Sequence, residues 1–247
     1  MNPGKLIVSV LVTGFCLGFF TSCIIAVPNG CSNQTISGSG QIETRTRVVP
    51  EFKRLFLKSS GHVIIIKGKA QNVEIKTDKN IMPLIKTEVK GDLLEISHEN
   101  VNLKPTMLEF HLSMKQLEGV TISGSGGVTG RSAFAADKFK AEINGSGDLD
   151  LAIVASRLAT VINGSGSMVL TGKTAEYQAT INGSGDIRAF NLESKKASVS
   201  IAGSGDCSLC ASESLTAFIS GSGDVIYTGN PRVEGRVKGS GSVTARR

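Results

Sequence analysis

Ala-Glu-Ile-Asn-Gly-Ser-Gly-Asp-Leu-Asp-Leu, residues 141–151, contains the repeating unit that decides the fold of this 247-residue chain. Its central Gly-Ser-Gly occurs seven times between residues 124 and 241, and successive copies begin 18 to 21 residues apart. An additional copy at residues 38–40 stands outside this series. A fixed period of about 20 residues, with one turn signal in each unit, is typical of a stacked solenoid.

Apolar or small residues alternate with polar residues on both sides of each Gly-Ser-Gly. In the unit quoted above, Ala141 and Ile143 precede the glycines, and Leu149 and Leu151 follow them. Because the side chains of a β-strand alternate between two faces, each unit is interpreted as strand, tight turn and strand, with these residues facing inward. A second bend then returns the chain to the start of the next unit.

One unit cannot be stable alone, because about five inward side chains contribute roughly 2 kcal/mol each, whereas ordering each residue costs about 1 to 2 kcal/mol. Stacking equivalent strands as parallel ladders supplies a continuous core. The sequence therefore predicts an all-β fold in which residues 121–247 form a parallel, β-helix-like solenoid. Glycine allows positive φ and close backbone approach at the turns. The predicted structural turn residues are Gly124, Gly126, Gly145, Gly147, Gly164, Gly166, Gly183, Gly185, Gly203, Gly205, Gly221, Gly223, Gly239 and Gly241.

The repeated Ile-Asn-Gly-Ser-Gly-Asp-Leu and its variants, together with a preceding segment from Val63 to Leu117, resemble the head GIN domain family of putative autotransporter adhesins. The resemblance covers about residues 48–247 and includes Phe-Lys-Arg-Leu at residues 52–55. It implies a right-handed, pectin-lyase-like β-helix in bacterial envelope proteins. It further implies a proposed role in adhesion, without an established enzyme activity.

Short polar side chains flank the turns and can hydrogen-bond nearby amides. The predicted turn-capping residues are Asn144, Asn163, Asn182, Asp148, Asp186, Asp206 and Asp224. Clustered carboxylates on pectin-lyase-like scaffolds can also bind Ca²⁺ or abstract protons, so ion binding and catalysis remain alternatives for the aspartates.

Residues 1–47 differ from the repeats. Lys5 followed by the apolar run 6–20 has the layout of a secretory signal, and Phe-Thr-Ser-Cys at residues 20–23 resembles a lipobox with Cys23 as the lipidated residue. An uncleaved anchor over residues 6–27, or processing elsewhere, including at Cys31, are the alternatives. Each of them places the body outside the cytoplasm. The predicted organisation is a lipoprotein-type signal peptide at 1–22, a tether with the first Gly-Ser-Gly at 23–47, a β-rich segment at 48–120 and the repeats at 121–247.

The sequence of the repeats shows no combination of residues that is typical of an active site. Cys207 falls on an inward strand position, so we interpret it as a core residue and Cys210 as incidental, since residues three apart on a strand face opposite sides. The three histidines, at 62, 98 and 111, all precede the repeats. No cofactor or metal ion is therefore expected.

The charge balance, formally +6, is spread along the chain without a basic stripe interleaved with aromatics, which disfavours nucleic-acid binding. We interpret the protein as a non-catalytic, membrane-anchored envelope module, placed at the outer membrane, that binds a glycan or protein ligand. An oligomer is compatible with the sequence. The alternative is a carbohydrate-active enzyme or a Ca²⁺-binding module on the same scaffold.

Overall fold

Eighteen β-strands and one 3₁₀ turn make up nearly all of the computed structural model, which describes residues 35–99 and 101–246. The strands are β1 Thr35–Ser37, β2 Ile42–Val48, β3 Arg54–Lys58, β4 His62–Lys67, β5 Asn72–Asp78, β6 Ile85–Lys90, β7 Leu93–His98, β8 Asn102–Lys104, β9 Leu108–Met114, β10 Gly119–Gly124, β11 Gly127–Gly145, β12 Asp148–Gly164, β13 Ser167–Gly183, β14 Asp186–Gly203, β15 Cys207–Gly221, β16 Val225–Thr228, β17 Arg232–Gly239 and β18 Val243–Ala245. The 3₁₀ turn is Met82–Leu84. The predicted signal peptide, Cys23 and Cys31 lie outside the described residues. Across the described ranges, no helix is both long and apolar enough to cross a membrane.

The seven Gly-Ser-Gly bends between residues 124 and 241 form one aligned column. Gly145 pairs in register with Gly164, Gly164 with Gly183, and the same register continues to Gly239. Each strand from β11 to β15 extends over 15 to 19 residues between consecutive bends, so one strand makes about one coil. The ladders between these strands are all parallel, which confirms the predicted solenoid.

The core consists of columns of inward side chains. Ile143, Ile162 and Ile181 are fully buried and pair in register across three coils. In β17, by contrast, the equivalent inward positions Val233 and Val237 are 37% and 41% exposed. The inward pattern therefore fills a core as far as β15, and in β17 the same positions meet solvent.

The segment 48–120 contributes rungs to the same parallel ladders. β3 and β4 pair in parallel with β10 and β11 on one side and with β7 and β9 on the other. The spatial order of these rungs therefore differs from their order in the chain. Ser59-Ser60-Gly61 joins β3 to β4 at the position of a Gly-Ser-Gly bend, because Leu57 pairs with Ile122 and His62 with Gly127.

Antiparallel strands close the other end of the stack. β6 pairs with β7, β5 pairs with β9, and β2 pairs with β5, all antiparallel. Arg47 of β2 donates a hydrogen bond of 2.9 Å to the carbonyl of Ile85, the first residue of β6. Residues 35–47, which the sequence interpretation assigned to the tether, thus form β1 and most of β2.

The first Gly-Ser-Gly has a different environment from the other seven, because it wraps around the buried carboxylate of Asp78. The Gly40 amide donates to Asp78 Oδ1 at 2.8 Å, and the Thr106 amide donates to Oδ2 at 2.7 Å. Burial alone would raise the pKa of Asp78, but the hydrogen bonds from Thr106, Gly40 and Met107 hold this pKa below its usual value. Asp78 therefore clamps the loops at residues 38–40 and 105–107 together in its ionised form.

Replacing Asp78 by Asn should destabilise the fold in a pH-dependent way. The folded pKa of Asp78 is depressed, so its carboxylate stabilises the fold fully above the unfolded pKa of about 3.9, and this contribution is lost as pH falls through the folded value. The difference in thermal midpoint between Asp78→Asn and the parent should be large at neutral pH and shrink towards strongly acidic pH. Asp150→Asn, at an exposed carboxylate, is the control and should match the parent throughout. A pH-independent difference for Asp78→Asn would contradict the clamp.

Candidate functional site

Asparagines at the bend column form a ladder with one another. Asn163 Nδ2 donates to Asn144 Oδ1 at 2.8 Å, and Asn182 Nδ2 donates to Asn163 Oδ1 at 2.8 Å. Asn144 Nδ2 in turn donates to Glu142 Oε1 at 2.9 Å. The structure thus places the predicted capping residues Asn144, Asn163 and Asn182 in a side-chain ladder that connects successive coils.

Aspartates on the other side of the bend also connect neighbouring coils. Asp186 Oδ1 accepts the backbone amide of Asp206 at 3.2 Å, and Asp206 Oδ1 accepts that of Asp224 at 2.8 Å. Asp224 Oδ1 accepts both the amide and the hydroxyl of Ser242, at 2.7 and 2.8 Å. Asp148 lies in the same column and is exposed. Within residues 35–99 and 101–246, no group of three or more His, Cys, Asp or Glu side chains is placed to hold a metal ion.

The Cys-x-x-Cys sequence is split between the core and the surface region. Cys207 is 1% exposed and pairs in register with Ile187, whereas Cys210 is half-buried, and both thiols are free. Burial, with a smaller contribution from the charge of Asp206, raises the pKa of the Cys207 thiol to about 12. A thiol with so high a pKa stays protonated near neutral pH and is a poor nucleophile.

The histidines lie apart from one another, on β4, β7 and β9. His62 is exposed at the start of β4, and the Nδ1 atom of His98 lies 2.7 Å from the carbonyl of Glu99. His111 Nε2 lies 3.3 Å from Glu109 Oε2. None of the three lies among the residues that line the groove described next.

A groove of about 790 Å³ crosses the coils on the strand halves that precede the bends. The strand residues that line it extend from β11 to β15, four strand spacings or about 19 Å. We call it the basic groove; its lining residues are Glu118, Lys138, Phe139, Lys140, Arg157, Leu158, Ala159, Glu176, Tyr177, Gln178, Lys196, Ala197, Ser198, Ser214 and Thr216.

Long charged side chains form one wall of the basic groove. Lys138, Arg157, Glu176 and Lys196 follow one another in register on successive strands, and all four are exposed. Arg157 lies 3.9 Å from the carboxylate of Asp137. In the described part of the chain, neither Lys138 nor Lys196 has a carboxylate within ion-pair distance. These two ammonium groups are therefore available to an anionic ligand.

The floor of the basic groove is apolar and closely packed. Phe139, Leu158 and Tyr177 pair in register and are 2%, 2% and 3% exposed. The hydroxyl of Tyr177 lies 3.1 Å from Thr160 Oγ1, so its polar atom is satisfied inside the core. Burial and the neighbouring Cys207 raise the pKa of Tyr177 well above its usual value, which keeps the phenol neutral.

The acidic residues of the basic groove are too far apart for paired catalysis. Its lining contains two carboxylates, Glu118 and Glu176. Glu118 immediately precedes β10, and Glu176 lies on β13. These two strands are three strand spacings, or about 14 Å, apart. Glycosidases place their two carboxyl groups about 5 to 9.5 Å apart. The groove thus presents a charged, elongated surface whose two carboxylates are not placed as in a glycosidase.

The sequence interpretation missed this groove, although a signal for it exists. Lys138, Arg157, Glu176 and Lys196 each lie seven residues before the next Gly-Ser-Gly. Aligning the repeats on the preceding bend obscures this column, because the spacing from that bend varies. Aligning them on the following bend places the four residues in one register.

Comparison with known proteins assigns the chain to a family. Residues 51–231 match the family model described as "Putative auto-transporter adhesin, head GIN domain". No curated protein matches the chain.

Several solved structures share the fold. A putative adhesin from Bacteroides fragilis NCTC 9343 aligns with a TM-score of 0.80 at 24% identity, over 85% of this chain and 100% of that chain. A protein from Parabacteroides distasonis ATCC 8503 described as a putative lipid binding protein aligns with a TM-score of 0.72 at 25% identity, over 87% and 100%. A putative adhesin from the same strain aligns with a TM-score of 0.72 at 21% identity, over 86% and 100%.

Proposed function

Since the chain belongs to the head GIN domain family of putative auto-transporter adhesins, we propose that it is a non-catalytic cell-envelope module that binds an anionic surface polymer along the basic groove. The family match and the adhesin-like neighbours support a surface or extracytoplasmic role. The observation that carries the proposal is one column of charged residues along a groove that crosses five strands, in which Lys138, Arg157 and Lys196 outnumber the single carboxylate of Glu176.

The length and charge of the basic groove favour an extended anionic ligand. A groove of about 19 Å is longer than one sugar ring and remains open along its length, so several units of a linear polymer can lie in it. Its lining carries four cations, Lys138, Lys140, Arg157 and Lys196, against the two carboxylates, and of these cations Lys140 is paired with Glu142 at 2.7 Å. Concentrating positive charge in a cleft raises the local concentration of anionic ligands and speeds their association.

The bend column, in contrast, carries mostly negative charge. Asp148, Asp186, Asp206 and Asp224 lie there, separated along each strand from the cations of the basic groove. A polyanion is therefore attracted to one side of the coil and repelled from another. This segregation favours binding along the basic groove over binding at the bends.

Anionic lipid headgroups share the chemistry of an anionic glycan. The Parabacteroides distasonis protein described as a putative lipid binding protein makes headgroups the second source of such a ligand. A headgroup is compact, however, whereas the basic groove extends over five strands. The glycan is therefore the ligand that we propose, and the lipid becomes one arm of the test.

Binding to linear polysaccharides tests the proposal. Residues 33–247 should bind polygalacturonate but not neutral dextran, with an affinity that falls as salt rises, because the contacts are ionic. The triple variant Lys138→Ala, Arg157→Ala, Lys196→Ala should bind at least about tenfold more weakly, as expected when about 1.4 kcal/mol is lost. The matched control, Lys67→Ala, Lys69→Ala, Lys79→Ala, removes the same charge at exposed residues outside the basic groove and should bind as the parent does.

Three outcomes would contradict the proposal. Equally weakened binding of polygalacturonate in both triple variants would show that only the net charge of the protein matters. Binding to phosphatidylglycerol vesicles, with none to polygalacturonate, would assign the basic groove to lipid headgroups. Release of cleaved sugar from polygalacturonate would favour the carbohydrate-active enzyme over a non-catalytic module.

We further propose that the body is held at the outer membrane by a lipid on Cys23. The lipobox-like Phe-Thr-Ser-Cys at residues 20–23 supports this attachment. Cells fed labelled palmitate should incorporate the label into the parent chain and not into Cys23→Ala, and the label should fractionate with outer membranes. Cys31→Ala is the control and should retain the label. Label that persists in Cys23→Ala would indicate another anchor.

A further inference from the structure

The outer edge of β17 is a strand edge without a neighbour. β17 pairs with β15 on one side, and no strand in residues 35–99 or 101–246 pairs with its other side. All eight of its residues are exposed. A row of free backbone donors and acceptors is a template for pairing with another strand.

Apolar side chains accompany this free edge. Val233 and Val237 continue the inward columns of Leu215 and Ile219, which are 0% and 3% exposed, yet the two valines themselves are 37% and 41% exposed. A second strand laid against β17 would cover them. Both hydrogen bonding and apolar burial therefore favour an added strand at this edge.

The sequence of β17 is complementary to itself in one antiparallel register. The strand reads Arg-Val-Glu-Gly-Arg-Val-Lys over residues 232–238. When two copies pair with Gly235 opposite Gly235, Glu234 of each copy lies opposite Arg236 of the other. The same register places Val233 opposite Val237 of the second copy, on the inward face. Opposed residues of an antiparallel pair share a face, so charges meet charges and valines meet valines.

We propose that β17 pairs with β17 of a second copy in this register, joining two solenoids end to end across a two-fold axis. The partner strand is that of a second copy of this chain, because the charges of β17 are complementary to those of the same strand running in the opposite direction. A two-fold contact of this kind is closed, so it stops at a dimer and does not extend into a fibre. The outermost pairs, Arg232 opposite Lys238, are like-charged and moderate the affinity.

Disulfide trapping at the two-fold axis tests the register. Gly235 opposes itself, and opposed Cα atoms in antiparallel strands lie about 4.5 to 5.5 Å apart, within disulfide range. A Cβ at Gly235 would meet only the side chain of Val243, at 3.6 Å from Cγ2 and 3.8 Å from Cβ, so Gly235→Cys fits. The full-length Gly235→Cys chain in detergent should form a disulfide-linked dimer on mild oxidation, above the level given by the native cysteines of the parent.

Lys238→Cys is the matched control on the same strand. In the proposed register residue 238 lies about 20 Å from its own copy, so it should not crosslink above the parent. Crosslinking of Lys238→Cys, or its absence in Gly235→Cys, would overturn the register.

Charge reversal gives an independent readout by sedimentation of the full-length chain in detergent. Arg236→Glu should raise the dimer dissociation constant at least tenfold, because it opposes Glu234 of the second copy. The double variant Glu234→Arg, Arg236→Glu should restore the parent value, and Lys238→Glu, facing Arg232, should lower it. A monomeric parent, or a double variant weaker than the single one, would overturn the proposal.

Discussion

The close approach of successive bends is the constraint on which the rest of the structure depends. At Gly164 the backbone has φ of +136°, and a Cβ there would collide with the carbonyl oxygen of Gly145 on the preceding coil. At Gly166 a Cβ would lie 2.5 Å from the carbonyl oxygen of Gly147. The absence of both side chains lets the Ser165 amide donate to the Gly145 carbonyl at 2.9 Å. The bends therefore stack as hydrogen-bonded layers, and the strands on either side inherit their parallel register.

The surfaces follow from that register. Once the bends are aligned, every outward position becomes a column that extends across the coils, and chemically similar residues in a column act together. The Asn144, Asn163 and Asn182 column satisfies itself through side-chain hydrogen bonds. The column of Lys138, Arg157, Glu176 and Lys196 instead carries three cations and one carboxylate beside buried apolar residues. One geometric device thus produces both a hydrogen-bonded ladder and the basic groove.

The sequence predicted the solenoid because its period, its glycines and its alternating apolar residues all repeat together. It did not predict the rung made by β3 and β4, because Ser59 stands where the other bends have their first glycine. The preceding rung, β7 and β9, joins its strands through a nine-residue connection that contains β8, not through a three-residue bend. On the rung of β7 and β9, therefore, no glycine bend stacks against Ser59. The Cβ of Ser59 is tolerated there, and the sequence lacks the Gly-Ser-Gly pattern at this bend. The basic groove was missed for another reason, because its charged column emerges only when the repeats are aligned on the bend that follows each charged residue.

Substitution at one bend measures the central constraint most directly. In a denaturant titration, Gly164→Ala should lose about 2 to 4 kcal/mol of unfolding free energy, because it adds an overpacked contact to a strained positive φ. Ser165→Ala, one residue away and exposed, should change it by less than about 0.5 kcal/mol. Equal, small effects of the two substitutions would show that the bends do not need glycine and would contradict this account.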